Sequence, residues 1–389
     1  MRVITNSDRE NNNLEDIIRA FAFRLGFDSV RFTSAAPFFQ RTSVALERVE
    51  QGLMDGLPWY NEKRVERGAF PTHLLPGARS IIALSMSYNA APSYENTAMP
   101  MGRVARYAWG QDYHRVLERR MRDFVRGLAD IVGHPVKTKN YVDTGPMQDR
   151  AIAERAGIGW FGKNTNILTS SHGSWVFLAQ VLTDLELTPD SPLKKTCGAC
   201  QVCIEECPTG AIVAPYVIDN KRCISYLTIE LRGIVPRNLR SLMGDWVFGC
   251  DICQDVCPVN RKALPAQEPA FAPGEYGYTA LELIPLLDIT EEEFQERFQG
   301  SAIRRAKRIG LQRNVCIALG NIGEAIAAPA LAHALGSGDV VVRCHAAWAL
   351  GRIRTPEAIE NLNSALVSES DSGVLEEIRD ALVQACGRF

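Results

Sequence analysis

The sequence has no apolar run close to the ~20 residues that a membrane-spanning helix needs, and neither sign of charge predominates. Its 43 basic and 45 acidic residues give a formal net charge of −2, which excludes a globally basic nucleic-acid binder but not a local basic patch. The polar stretch 1–13 lacks the apolar core of a secretory signal. These absences predict a cytoplasmic protein with no membrane segment, and the content of 46% apolar residues predicts a globular one.

Changes in composition divide the 389 residues into three predicted domains. Residues 1–190 mix helical and strand patterns, which indicates an α/β or α+β domain. Its predicted helices cover 13–26, 113–132 and 148–156, and its predicted strands lie near 30–32, 80–88 and 175–182. Residues 191–263 are rich in cysteine, the Pro-rich stretch 264–277 has the composition of a linker, and 275–389 is predicted to be helical.

The helical part contains a short repeat. The letters ALGNI at 318–322 recur as ALGRI at 349–353, a spacing of 31 residues. Paired helices stacked as a HEAT-like solenoid would place these small residues where the helices approach closely. A small helical bundle with chance similarity is the alternative.

The eleven cysteines carry the strongest signal for function. Seven form the runs C-x2-C-x2-C-x3-C-P over 197–208 and C-x2-C-x3-C-P over 250–258, and Cys223 lies between them. This is the spacing of ferredoxins with two [4Fe–4S] clusters, in which the fourth Cys of a run binds the other cluster. The rule predicts one cluster held by Cys197, Cys200, Cys203 and Cys257, and a second held by Cys207, Cys223, Cys250 and Cys253.

Zinc and disulfides are the alternatives for these cysteines. Zinc would explain two C-x2-C pairs but not the crowded four-Cys run with its terminal Pro. Disulfides fit poorly with a chain that lacks an export signal. The other three, Cys316, Cys344 and Cys386, are expected to be small buried hydrophobes in the helical repeats.

Two clusters conduct electrons without performing a reaction, so a neighbouring domain should hold the acceptor.

Several other residues are ambiguous from the sequence. Asp112 and Asp143 have the features of a helix N-cap and an Asx-turn, although a buried carboxyl at 143 could donate a proton. Arg150 and Lys163 could bind a ligand or be ordinary surface charges. The glycines at 157, 159 and 162 follow a helix and precede a strand, which is the reverse of a dinucleotide-binding fingerprint, so we do not expect a Rossmann site.

A basic cluster precedes the repeats. It comprises Arg304, Arg305, Lys307, Arg308 and Arg313, and four glutamates lie just upstream within 291–296. The two groups could neutralise each other as solvated helices. Alternatively, the basic cluster could bind phosphates on the concave face of a solenoid.

Together these motifs resemble those of the epoxyqueuosine reductases, a family of tRNA-modifying iron–sulfur enzymes. The shared segments are NEKR at 61–64, WGQDYH at 109–114, VDTG at 142–145, DRAIAERAGIG at 149–159, RCISYLT at 222–228 and QRN at 312–314. With the eight cluster cysteines, they extend in the same order from about Leu14 to the last repeat.

The resemblance implies a cobalamin between the first domain and the cluster domain, and a first domain similar in fold to reductive dehalogenases. It implies base-off binding, in keeping with Leu117 at the Gly position of the cobalamin signature D-x-H-x-x-G. It also implies that Asp143 is the proton donor. The residues expected to line the cobalamin are Arg64, Asp112, Asp143, Arg150, Lys163, Ile167, Ser170 and Ser225.

The implied reaction is reduction of the epoxide of epoxyqueuosine, at the wobble position of tRNA, to queuosine. An external low-potential donor would supply electrons through the clusters to cobalamin. The basic cluster would position the anticodon stem-loop through its phosphates, and the family expectation is a monomer. The alternatives are an enzyme similar to reductive dehalogenases and an iron–sulfur electron carrier docked through its helical repeats.

Overall fold

The computed structural model describes residues 13–92, 98–273 and 278–387. The first twelve residues of the predicted first domain, 274–277 of the predicted linker and the last two residues of the repeats lie outside this part. The helices are α1 Leu14–Arg24, α2 Phe39–Glu50, α3 Glu62–Ala69, α4 Pro71–Leu74, α5 Tyr113–Val132, α6 Asp149–Arg155, α7 Val202–Glu205, α8 Ile224–Ile229, α9 Arg237–Arg240, α10 Ile252–Asp255, α11 Glu291–Arg297, α12 Lys307–Ile322, α13 Ala328–Ser337, α14 Val340–Ile353, α15 Pro356–Ser368 and α16 Ser372–Cys386.

The described chain also contains strands and short 3₁₀ turns. The strands are β1 Ser29–Ser34, β2 Ser80–Ser87, β3 Met101–Val104, β4 Thr138–Tyr141, β5 Trp160–Phe161, β6 Ile167–Leu168, β7 Val176–Thr183, β8 Ile212–Ala214, β9 Val217–Ile218, β10 Trp246–Phe248 and β11 Ala280–Glu282. The 3₁₀ turns used below are Arg106–Ala108, Pro258–Lys262, Pro269–Phe271 and Ala302–Ala306. The α+β class is confirmed, as are the helices predicted at α1, α5 and α6 and the strands predicted at β1, β2 and β7.

A four-stranded antiparallel sheet, in the order β1–β2–β7–β4, forms the centre of the first domain. Alternate side chains of β7 enter different cores, because successive residues of a strand point to opposite faces. Phe177 and Val181 pack with α1 and α5, whereas Leu182 packs with α6. The edge strand β4 ends at Tyr141, so the sheet places Asp143 just beyond its edge.

Helix α5 covers one face of this sheet and begins at the candidate site. Its buried apolar residues follow helical spacing, from Val116 to Ile131, and Gly133 ends the helix in the left-handed conformation with a φ of 78°. At its start, the Asp112 side chain accepts a hydrogen bond from the backbone N–H of His114. The predicted N-cap role of Asp112 is therefore confirmed.

A second sheet joins segments from all three predicted domains. In it, β3 pairs in parallel with β10 and antiparallel with β11. The Ala105 N–H also donates to Phe248 O at 2.8 Å. The first domain and the cysteine-rich part are thus connected by main-chain hydrogen bonds as well as by the chain itself.

The stretch predicted as a linker is part of the fold where it is described. Phe271 is only 2% exposed and packs against Phe177, with ring centroids 4.9 Å apart. Leu264 N–H donates to Ser171 O at 2.9 Å. The predicted linker is therefore packed against the first domain over 264–273, because the buried side chain of Phe271 anchors it to the sheet.

Stacked helices form the C-terminal part, and the repeated glycines lie where they touch. A Cβ on Gly320 would lie 2.9 Å from the Cα of Ala349, and one on Gly351 would lie 2.8 Å from the Cα of Ala381. Helices α12, α14 and α16 are therefore in contact at these positions. This is the close approach that the repeated letters predicted.

We expect Gly351→Ala to lower the free energy of unfolding by about 1–3 kcal/mol, because its methyl group would meet the backbone of α16 rather than a flexible side chain. Gly336→Ala in α13 is the matched control, since nothing lies within 4 Å of its Cβ. The control should be neutral or stabilising by up to ~1 kcal/mol. Urea unfolding of both variants measures the difference, and equal stabilities would contradict the close helix contact.

Candidate active site and redox module

Asp143 lies at an exposed turn and is held from the start of α5. Its φ is 55°, a conformation that few residues other than Gly, Asn and Asp adopt readily. Tyr113 donates its phenolic hydrogen to Asp143 Oδ2 at 2.5 Å, and His114 Nε2 lies 3.9 Å from the same oxygen. The Asp143 side chain is 64% exposed, so its carboxyl group can reach a molecule bound in front of it.

His114 is placed between two carboxylates. Its Nδ1 lies 2.8 Å from Asp112 Oδ1, and its Nε2 faces Asp143. Burial lowers the pKa of His114, but the hydrogen bond and charge of Asp112, together with the charge of Asp143, outweigh burial and raise it. Burial raises the pKa of Asp112. The hydrogen bonds and the charge of His114 outweigh burial, so the pKa of Asp112 is lowered overall. The contact with Asp112 favours the protonated form of His114, in which the Nε2–H points towards Asp143.

Tyr107 and Arg305 border the same site from other parts of the chain. The rings of Tyr107 and Tyr113 meet edge to face, with centroids 6.2 Å apart. Burial first, and then the charges of Asp143 and Asp251, raise the pKa of Tyr107 well above its usual value. Arg305 pairs with Glu230 through contacts of 2.5 and 3.1 Å, and its pKa is raised by Glu230 and also by Asp143. Arg305 of the basic cluster is therefore within electrostatic range of the Asp143 carboxyl group.

Helix α3 supports the loop that carries Asp143. Arg64 donates to Gly145 O, and a Cβ on Gly68 would lie 2.0 Å from Pro146 O. Only a glycine allows the helix to approach the loop this closely. The same arginine stacks on Trp59, with its guanidinium 4.9 Å from the ring centroid.

Asp149, at the start of α6, lies behind this loop. Burial, followed by the charge of Asp143, raises its pKa to about 7, although Arg150 and Arg64 oppose the shift. Arg150 itself donates to Thr165 O at 2.9 Å. The structure thus brings Arg64, Asp112, Asp143 and Arg150 to one region, as four of the eight residues expected to line a cobalamin.

The other four expected residues lie elsewhere around the module. Lys163 is 8% exposed and donates to Gly198 O at 2.9 Å, within the first cysteine run. Ser170 accepts from Lys195 Nζ at 2.9 Å. Ser225 is half-buried in the first turn of α8. Ile167 is 3% exposed, and its side chain belongs to the core beside α6.

The thiols of the module act electrostatically on one another mostly within the two predicted ligand sets, although Cys203 also acts on Cys253 across them. Burial, and then the charges of Cys197, Cys257 and Cys200, raise the pKa of Cys203 to about 11. Burial, and then the charges of Cys223 and Cys250, raise the pKa of Cys253. Cys250 in turn is influenced by Cys223 and Cys207. We call these the first group (Cys197, Cys200, Cys203 and Cys257) and the second group (Cys207, Cys223, Cys250 and Cys253).

The donor set of these groups fits cubane clusters, because eight thiols supply the four thiolates that each of two [4Fe–4S] clusters needs. Ala211 N–H already donates to Cys207 Sγ at 3.3 Å, as a backbone amide does to a cluster sulfur. None of the eleven cysteines, all of which are described, forms a disulfide; Cys316 and Cys344 are buried as expected, whereas Cys386 is exposed, so that expectation is wrong for it.

Trp160 provides a second test of fit. It is 7% exposed and packs with Cys257 of the first group, with Cys197 beside them. Its buried Nε1–H has no hydrogen-bond partner in the described part of the chain. Because buried donors are almost always paired, a sulfur of a bound cluster is a fitting acceptor. The ligand sets themselves stay a prediction.

The second group lies on the side of the Asp143 site. Asp251, between Cys250 and Cys253, accepts the backbone N–H of Arg106 at 2.6 Å. Its charge also acts on Tyr107, the next residue in the chain. A donor of electrons at the second group would therefore be close to a molecule bound at Asp143.

The basic cluster is only partly available to a ligand. Arg308 pairs with Glu291 at 3.3 Å, so the expected neutralisation by the acidic run occurs there. Lys307 is exposed, and Arg304 contacts Gln295.

Arg313 is 0% exposed and donates to three backbone carbonyls, those of Leu227, Leu231 and Gly233. The prediction that Arg313 contacts tRNA is therefore wrong, because this side chain joins α12 to the segment after α8.

Some site residues had no separate signal in the sequence. Tyr113 and His114 directly follow Asp112, so their place in the motif could have indicated them. Tyr107 and Glu230 reach the site from distant segments, and nothing in the local sequence marks them.

A carboxyl acid with tyrosine and histidine partners, next to thiols for two clusters, defines an iron–sulfur oxidoreductase.

Three families match successive parts of the chain. Residues 69–144 match the family described as Epoxyqueuosine reductase QueG, DUF1730. Residues 196–260 match the 4Fe-4S double cluster binding domain, and residues 300–383 match HEAT repeats. The [4Fe–4S] character of the cysteine-rich part and the repeat architecture are thereby confirmed.

Similar proteins extend over nearly the whole chain. The epoxyqueuosine reductase of Bacillus cereus is 36% identical over 95% of this chain and 96% of its own. That of Escherichia coli is 37% identical over 92% of each. A crystal structure of epoxyqueuosine reductase with an epoxyqueuosine-modified tRNA-Tyr stem loop superposes with a TM-score of 0.90, at 34% identity over 96% of this chain and 99% of that one. The chain belongs to the epoxyqueuosine reductase family.

Proposed function

We propose that this protein reduces the epoxide of epoxyqueuosine in the wobble position of tRNA to queuosine, using cobalamin and two [4Fe–4S] clusters. The observation that carries the proposal is the chain of contacts that leads from Asp251, between two thiols of the second group, through Arg106, Tyr107 and Tyr113 to Asp143. Family membership and the solved stem-loop complex of a relative support the same substrate. Family membership also favours this function over the two alternatives, an organohalide reductase and a plain electron carrier.

The polar groups around Asp143 fit a large polar cofactor. Arg64, Asp112 and Arg150 surround the loop, and Ser225 lies apart from it, two residues after Cys223 of the second group. When bound, cobalamin supplies a low-valent cobalt nucleophile able to open an epoxide. We assign Ile167 only a main-chain contact, because its side chain is buried in the core.

The chain's own residues hold and move the proton. Opening of the epoxide leaves negative charge on oxygen, and a carboxylic acid within reach can protonate it. Tyr113 and His114 fix the Asp143 carboxyl group from one side, which leaves the exposed side of the carboxyl group for substrate. His114, whose pKa is raised, can return a proton to Asp143 after each turnover.

The tRNA would approach over the start of the repeats. Arg305 lies within electrostatic range of Asp143, and Arg304, Lys307 and Arg308 are its neighbours in the chain. Phosphate contacts from these side chains would position the stem-loop without reading sequence. The modified base must leave its stack to reach Asp143.

Incubation with epoxyqueuosine-containing tRNA and dithionite tests the proposal. Protein loaded with iron and cobalamin should convert epoxyqueuosine to queuosine in nucleoside mass spectrometry, and should contain about eight irons per chain. Conversion without cobalamin, or about four irons in fully active protein, would contradict it. Cluster-loaded protein that does not bind cobalamin would favour the electron carrier.

An external low-potential donor, a cytoplasmic location and a monomeric state belong to the same proposal. None of the helices in the described residues could cross a membrane.

A further inference from the structure

The two groups of thiols differ in their access to solvent. Cys200 of the first group is the one exposed thiol among the eight, although Cys257 of that group is buried, and the four thiols of the second group are all partly buried. The second group is also the one joined to the Asp143 site through Asp251 and Arg106. An electron arriving from outside the protein therefore meets the first group first and reaches the Asp143 site through the second.

The surface beside the first group is basic. Lys194 and Lys195 lie three and two residues before its first cysteine, and Arg261 and Lys262 lie in the 3₁₀ turn that follows its last. All four are exposed. In the described part of the chain, none of them forms an ion pair with an acidic side chain, and the partners of Lys195 are the Ser170 hydroxyl and the Trp160 ring.

Two contacts bring these pairs of cations to one surface. Lys195 Nζ donates to Ser170 Oγ at 2.9 Å, and the N–H of Leu264 donates to the carbonyl of the next residue, Ser171, at 2.9 Å. Leu264 follows the 3₁₀ turn and is 54% exposed, an apolar side chain among the cations. We call Lys194, Lys195, Arg261, Lys262 and Leu264 the entry face.

The charge of the entry face is opposite to that of the whole chain. Its four cations exceed the two exposed glutamates of the first run, Glu205 and Glu206, whereas the chain has a formal net charge of −2. Opposite charge steers association and raises on-rates, and electron-transfer complexes are small and transient. A basic rim, an apolar side chain and an exposed cluster ligand suit a small partner with an acidic surface.

We propose that the entry face docks an acidic electron carrier of the ferredoxin type, which reduces the first cluster near Cys200. The carrier is oxidised by one electron and the cluster is reduced by one, with no bond made or broken. The inference rests on the proposed function, because it requires the clusters to be in place.

Stopped-flow reduction of the cluster-loaded protein by prereduced plant-type [2Fe–2S] ferredoxin tests this surface. In the double variant Lys194→Glu/Lys262→Glu, we expect the second-order rate constant to fall on the order of tenfold at low ionic strength, with a flatter dependence on salt. The reduction rate with dithionite should be unchanged. Arg126→Glu on α5, whose side chain is 78% exposed, is the control and should behave as wild type.

Equal rate constants in the wild type and the double variant would overturn the proposal, as would a wild-type rate that does not respond to ionic strength. So would failure of the wild type to accept electrons from ferredoxin. Queuosine formation driven by dithionite is measured on the same samples. Its absence alongside normal, salt-dependent ferredoxin reduction would reject the proposed function and leave the docking surface standing.

Discussion

Asp143→Asn should reduce turnover of epoxyqueuosine tRNA by ~10²–10⁴-fold while both clusters and cobalamin remain bound. The amide has the shape of the acid but cannot donate the proton that the opening epoxide requires. Asn is also one of the few residues that tolerate the φ of 55° found here, so the loop should keep its conformation. An alanine at this position would mix loss of the acid with backbone strain.

Single-turnover assays with dithionite measure this effect without any contribution from a protein donor. Asp123→Asn is the matched control, because it makes the same chemical change on the exposed surface of α5. Iron content, the cobalamin spectrum and tRNA affinity should match those of the wild type in both variants. Full turnover by Asp143→Asn would remove Asp143 as the acid and leave His114 as the remaining candidate.

Glu377→Ala should cost about 3–5 kcal/mol of the free energy of unfolding, the largest stability effect that we expect from a single polar side chain here. Arg240 is 1% exposed, and its guanidinium donates to both oxygens of Glu377 at 2.8 and 3.2 Å. Its Nε donates to Val235 O at 2.9 Å. Removing the carboxylate would leave a charge buried between the cysteine-rich part and α16.

Urea unfolding measures this loss, with Glu360→Ala on the exposed side of α15 as control. The control should change stability by no more than ~0.5 kcal/mol. The double variant Arg240→Met/Glu377→Leu should recover much of the loss, because an apolar pair of similar volume leaves no charge unpaired. A double variant as unstable as Glu377→Ala alone would show that packing, not the unpaired charge, sets the cost.

Local patterns predicted the elements that local physics determines. The helix over 113–132 has an N-cap, an apolar stripe and a terminal glycine, and it was predicted with the bounds that it has. The cysteine spacing predicted the double-cluster character of the cysteine-rich part, which the family match over 196–260 confirms, whereas the division of the thiols into two ligand sets stays a prediction. The repeated glycines predicted the helix contacts, since only small residues allow them.

Long-range contacts decided what the sequence did not reveal. Arg313 was expected at a phosphate because it lies in a basic run, but three carbonyls from a distant segment bury it. The ring of Phe271 packs against Phe177 and so makes a Pro-rich stretch part of the core. The meeting of Tyr107, Arg305 and Glu230 at Asp143 depends on how the first domain, the cysteine-rich part and the repeats are arranged, which no local pattern encodes.

The sheet formed by β3, β10 and β11 determines how the redox part relates to the reaction site. Cys250 follows β10 after a single glycine, and β3 leads directly into Arg106 and Tyr107. One set of main-chain hydrogen bonds therefore holds a predicted iron ligand and a side chain of the acid site at a constant separation. Under the proposed function, electron transfer between these two parts would need no hinge motion, because the sheet fixes their separation.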